Sequence, residues 1–204
     1  MKANKTPAKI NIDRSLFFQG NKVDNSIYKI ARFFCIVEGC SLGKVVLVEI
    51  FFLLSFTLHN IEEGIWLPKW SKNAGKYHVQ VSSREFHFAL IIVTTFGYIV
   101  TFLSMTLGQF QEIVKYVYLG FIFMVCLNSF FPHLIATIAL RRYAPGTLTG
   151  VLLNLPIGTT IILKSLETGV ELRFIIMSGA LITFLTLVSL RYFFKIGKGS
   201  IHEY

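Results

Sequence analysis

No aspartate occurs after Asp24, so Ser-His-Asp chemistry has no support in the body of the chain. Cysteine is scarce: Cys35, Cys40 and Cys126 are odd in number and lack metal-ligand spacing, which excludes a disulfide framework and a cysteine zinc site. The histidine-rich boxes of di-iron desaturases are missing. Alternation of apolar and polar residues over eight to ten positions is also missing, which excludes a membrane barrel. No internal repeat and no low-complexity tract interrupts the chain. Only 15% of the residues are charged.

What remains is apolar. Of 204 residues, 53% are hydrophobic, 20 of them Phe, and the mean hydropathy is +0.61. A soluble domain of this length has too little interior to hide so much apolar surface, so the excess faces lipid. A hydrocarbon core of about 30 Å needs about 20 helical residues. Five stretches meet or approach that length, at 43–66, 86–107, 115–140, 147–163 and 174–194. The expected fold is an all-α polytopic transmembrane bundle of about five spans, multi-pass in the cell membrane. The fourth span is short and carries Asn154 and Pro156, which predicts a kink or a partly re-entrant segment.

Three regions follow: a basic tail over 1–42 with an interfacial helix within "IYKIARFFCIVEGC", the transmembrane domain over 43–194, and a polar tail over 195–204. The N-terminal charged region is too long for a cleaved signal peptide. The net charge of +9 reads as flanking anchors for membrane lipid, and no aromatic-interleaved basic motif points to nucleic acid. Basic residues near the membrane favour one orientation and the far N-terminal lysines the other.

Five antiparallel spans put the end of span 1, the start of span 2, the end of span 3 and the start of span 4 on one side. That side collects His59, Asn60, Glu62, Glu63, Glu85, His87, Asn128, His133 and Tyr143, whereas the other offers Glu49, Gln109, Gln111, Glu112 and Glu167 and no histidine. At about 100° per residue, Glu62 and Glu63 flank His59 within one arc of about 100°. An ionised carboxylate at a helix centre costs about 2.5–3.5 kcal/mol, so the pair calls for a cation, for a basic partner such as Arg84, Arg141 or Arg142, or for protonation. Simpler readings stand beside this one. The glutamates can be headgroup-level charges before the interfacial Trp66, His87 a helix-start residue, and His133 a buried histidine bonded to a neighbouring helix.

The His59-Asn60-Ile61-Glu62-Glu63 motif, the later Asn128/His133 pair and Tyr143-Ala144-Pro145-Gly146 resemble the HXXEE-domain family of small multipass, mainly bacterial membrane proteins. The resemblance runs over about 45–190. The family pattern sets Asn four residues before His; here Asn128 precedes His133 by five, and Ser129 stands at the four-residue place. The resemblance implies the site more than any reaction.

Two functions are open. One is an intramembrane metal-dependent enzyme, a hydrolase of a lipid or membrane-embedded substrate. His59, Glu63 and His133 would hold a divalent metal such as zinc, Glu62 would be the general base, Tyr143 would bond a glutamate or a substrate oxygen, and Asn60, His87 and Asn128 would line the site. The i, i+4 spacing of His59 and Glu63 suits two ligands one helical turn apart. The other is a proton-coupled transporter or immunity-type membrane protein without catalysis, in which a glutamate cycles protons or the polar end binds a partner.

Overall fold

The computed structural model describes residues 41–74, 80–108 and 110–199, so the expected N-terminal tail and its interfacial helix lie outside the described part. Within it every regular element is helical. The order is α1 (Ser41–Ser71), α2 (Ser83–Leu107), α3 (Glu112–Asn128), a wide-turned segment (Ser129–Leu134), α4 (Ile135–Leu140), a short α5 (Thr147–Thr149), a second wide-turned segment (Gly150–Asn154), α6 (Leu155–Glu167) and α7 (Leu172–Gly199).

Four continuous stretches are long and apolar enough to cross a membrane: Ser83–Leu107, Glu112–Leu140, Thr147–Glu167 and Leu172–Gly197. The protein is a membrane protein. Helix α1 has the same outer character. Leu47, Phe51, Leu54, Leu58, Ile61 and Ile65 recur every three or four residues and are exposed, while Phe52, Phe56, His59, Glu62 and Glu63 recur on the opposite face and are buried. The polar groups of α1 therefore face the bundle and its aliphatic groups face outward, as lipid requires.

The fourth span is longer than its sequence pattern suggested, reaching Glu167 rather than 163, and its irregularity is a wide turn at Gly150–Asn154 rather than a re-entrant loop. Pro156, second in α6, costs no hydrogen bond that the wide turn had not already given up. The third span breaks at Phe131 (φ −126°, ψ 118°), just before Pro132, whose ring disfavours helical backbone in the preceding residue. Helix α7 continues through Gly199, so the polar tail expected from 195 begins as helix. Glu85 is taken up in the cap of α2: its carboxylate accepts from Ser82 N–H at 2.8 Å and its own N–H donates to the Ser82 hydroxyl.

Phenylalanines fill the centre. Phe121 on α3 meets Phe52 and Phe56 on α1 edge-to-face, with centroids 6.2 and 5.3 Å away. Helices α3 and α7 make the most extensive pairing in the described bundle. They cross at Gly120, where an added Cβ would lie 2.8 Å from the Ser178 carbonyl carbon and 2.9 Å from the Gly179 nitrogen. Backbone cannot step aside as a side chain can. Gly120→Val is therefore expected to cost about 1–3 kcal/mol of stability, read as a fall in the thermal unfolding midpoint in detergent; an unchanged midpoint would show that the helices do not cross here.

Candidate metal centre

The site is built on three helix features. The inward face of α1 supplies His59, Glu62 and Glu63; the break in the third span supplies Asn128 and His133; the entry to the fourth span supplies Tyr143, Gly146 and Thr149. All three HXXEE side chains are buried, with 1%, 5% and 8% of the residue surface exposed, and Trp66 is 53% exposed. The glutamates thus face inward and are not headgroup-level charges. Among the described residues neither is paired with Arg84, Arg141 or Arg142; the ion-pair partners of Glu63 are the two histidines.

Glu63 Oε1 lies 2.6 Å from His133 Nε2 and 3.4 Å from His59 Nε2. The two rings stand edge-to-face with centroids 5.3 Å apart. One donor atom from each of His59, Glu63 and His133 falls within 4.8 Å of the others. A tetrahedral ion with ligand bonds of about 2.0–2.1 Å holds its donors about 3.3 Å apart, a spacing that the separations here, from 2.6 Å to within 4.8 Å, bracket. Asn128 Nδ2 lies 3.3 Å from His59 Nε2 and 3.2 Å from His133 Nε2, on the same point.

Asn128 reaches His133 across five residues because the segment between them winds wide. An ordinary α-turn brings i and i+4 together, whereas the turns over Ser129–Leu134 close over five residues and break at Phe131. Ser129, at the four-residue place, is buried away from the cluster: its hydroxyl donates to the Val125 carbonyl, and its Cβ packs where a Gly150 side chain would be.

Glu62 does something different from its neighbour. Its Oε1 accepts from the Tyr143 hydroxyl and from Gly146 N–H (2.7 Å); its Oε2 accepts from Thr149 N–H (3.1 Å) and the Thr149 hydroxyl (2.6 Å). A carboxylate has about four acceptor positions, and all are taken. The backbone donors belong to the first turn of the fourth span, where N–H groups have no partner within the helix. Burial, then the bond to Glu62, pushes the Tyr143 phenol up to about 12, so it remains a donor at neutral pH. The expectation that Glu62 is a base is at odds with this geometry, because no acceptor position is left for a water proton.

The Thr149 hydroxyl, having given its proton to Glu62, accepts from His59 Nδ1 at 3.1 Å. With its proton on Nδ1, His59 would present the Nε2 lone pair to an ion placed among Glu63, Asn128 and His133, the arrangement a metal-ligating histidine adopts. Nothing in the sequence marked Thr149; a hydroxyl three residues after an unusual Gly was the available signal. Asn60, buried, bonds the Thr94 hydroxyl at 2.8 Å at the edge of the site. His87 is exposed and donates to the Gly64 carbonyl at 2.7 Å, which ties α2 to α1 outside the cluster.

A family described as "Protein of unknown function with HXXEE motif" matches residues 50–161. The chain belongs to the HXXEE family. It is also 41% identical over 151 residues to the "Uncharacterized protein YrkK" of Bacillus subtilis (strain 168), a match covering 72% of this chain and 93% of that one. No solved structure matches. The motif that names the HXXEE family is the inward stripe of α1, and its first and last residues are the two that meet His133.

Gly146 explains the Tyr143-Ala144-Pro145-Gly146 sequence. Its φ is +91°, so it caps the fourth span in a conformation that favours glycine, with Pro145 just before the cap. A Cβ there would lie 2.9 Å from His133 Cε1 and 3.0 Å from His59 Cε1. Gly146→Ala is expected to cost about 1–3 kcal/mol through backbone strain and crowding of both rings. Thermal unfolding in detergent checks it: stability equal to wild type would mean that the turn does not press on the imidazoles.

Proposed function

We propose that the protein is a metal-dependent hydrolase of the cell membrane, acting on a membrane-embedded substrate at the His59, Glu63, His133 centre. The observation that carries this reading is the convergence of two histidine Nε2 atoms and one carboxylate oxygen, with the His59 tautomer fixed from behind by Thr149 and Glu62. The same groups hydrogen-bond one another, and a divalent cation would give all three donor atoms one common partner.

In this reading His59, Glu63 and His133 hold the ion, zinc suiting the donor set. Amide N and O occupy nearly equal space, so turning the Asn128 amide exchanges Nδ2 for Oδ1 and supplies a fourth donor, an oxygen, at the same point. When bound, such an ion would polarise a carbonyl or phosphoryl oxygen and lower the pKa of bound water to about 7. Glu62 acts through Thr149 as a positioning residue and docks the fourth span on the first. Tyr143, with its hydroxyl committed to Glu62, steadies that dock.

Metal analysis of detergent-purified protein is the test. Wild type is expected to carry one ion per chain, and His59→Ala and Glu63→Gln to lose it. Thr149→Val is expected to weaken ion binding by about 10–100-fold, with Thr149→Ser restoring it. A wild type without stoichiometric metal would overturn the metal reading and move the proton carrier ahead; loss of the ion in Glu62→Gln but not in Glu63→Gln would exchange the two roles.

A further inference from the structure

The His59, Glu63, His133 cluster forms one end of a cavity of about 390 Å³ lined from four helices. Its walls are Phe56 from α1, Ala89 and Val93 from α2, Met124 from α3, and Leu190 and Phe194 from α7. Its polar lining is concentrated in His59, Asn60, Glu63, Asn128 and His133; elsewhere only the Thr186 hydroxyl interrupts the aliphatic and aromatic surface. The volume falls in the range of small-molecule sites, about 300–1,000 Å³, and the pattern of apolar walls with a few convergent polar groups is that of such sites. Two lining residues, Phe131 and Leu187, are 60% and 59% exposed on the outer surface of the bundle, so the cavity reaches the lipid-facing side.

We propose that this cavity holds the single long aliphatic chain of an amphiphilic substrate, with its polar group at the His59, Glu63, His133 end. The inference rests on the preceding reading for where the reacting group lies, and names the substrate class that reading leaves open. A peptide is disfavoured by the walls. Each amide brought in would need a hydrogen-bond partner away from water, at a cost of about 1–3 kcal/mol for each one left without, and the walls beyond the cluster offer almost none. An aliphatic chain brings no such demand and enters from the bilayer without leaving an apolar medium. A short water-soluble substrate would leave the apolar walls unused.

The probe is tritiated palmitate, measured at equilibrium on protein held in a steroid-based detergent that has no alkyl chain to compete. Wild type is expected to bind it saturably at one per chain, and octanoate to compete at least about tenfold more weakly than palmitate. Ala89 is 1% exposed on the cavity wall, so Ala89→Trp is expected to weaken binding at least about tenfold. Val93→Phe and Leu190→Trp, from two different helices, give the same reading should Ala89→Trp not fold. Non-saturable binding, or binding unchanged in folded Ala89→Trp, Val93→Phe and Leu190→Trp, overturns the proposal, as does displacement of palmitate by a transmembrane peptide of about 20 residues. Stoichiometric metal with non-saturable palmitate sinks the chain site alone; saturable palmitate without metal supports the chain site and sinks the metal reading alone.

Discussion

The four hydrogen bonds received by Glu62 are the constraint on which the rest of the site depends. A buried carboxylate in a membrane helix is costly unless its acceptor positions are filled, and here they are filled from one turn of backbone and two side chains of a distant segment. The cost of burial thus becomes specificity: the fourth span has one place to dock on the first. Because Thr149 is both a donor to Glu62 and an acceptor from His59, the same dock selects the imidazole tautomer. Because Gly146 is held at 2.7 Å from Glu62, its bare Cα also passes close to both rings. Stability and site geometry are here a single set of contacts.

The fold was legible in the sequence because lipid imposes a simple rule. Runs of about 20 apolar residues have few alternatives, and the inward stripe at 52, 55, 56, 59, 62 and 63 follows from helical periodicity once the solvent is known. The cluster was partly legible for the same reason, since histidine and glutamate are too expensive in such a run to be incidental. Antiparallel topology alone put His133 on the side of His59. His87 has the same credentials in sequence and lies elsewhere, because topology fixes the end of the bundle and not the direction a side chain takes from its helix.

What stayed hidden is carried by ordinary residues and by irregular backbone. Thr149 is unremarkable in composition, and its role exists only once a segment more than 80 positions away is folded against it. The division of labour between Glu62 and Glu63 was half visible: the i, i+4 spacing set Glu63 with His59, but nothing marked the dock that takes Glu62. Both lie in the same arc around His59, and they differ in what the opposite wall supplies: hydroxyls and backbone amides for one, imidazoles for the other.

The wide turns connect these points. A regular α-helix through 128–134 would carry His133 past Asn128 by more than a turn, and a regular helix through 150–154 would bring the backbone of the fourth span to a different height on the third. Both irregular segments lie against each other, with Ser129 filling the space that Gly150 leaves open. Backbone carbonyls loosened by such turns are tolerable in a membrane only inside protein, and here the Cys126 thiol donates to the Asn154 carbonyl. Two defects that would each be unfavourable alone are therefore stable as a pair. Their joint effect is to turn a residue spacing of five, which fails the ordinary helical rule, into the one that sets an asparagine between two histidines.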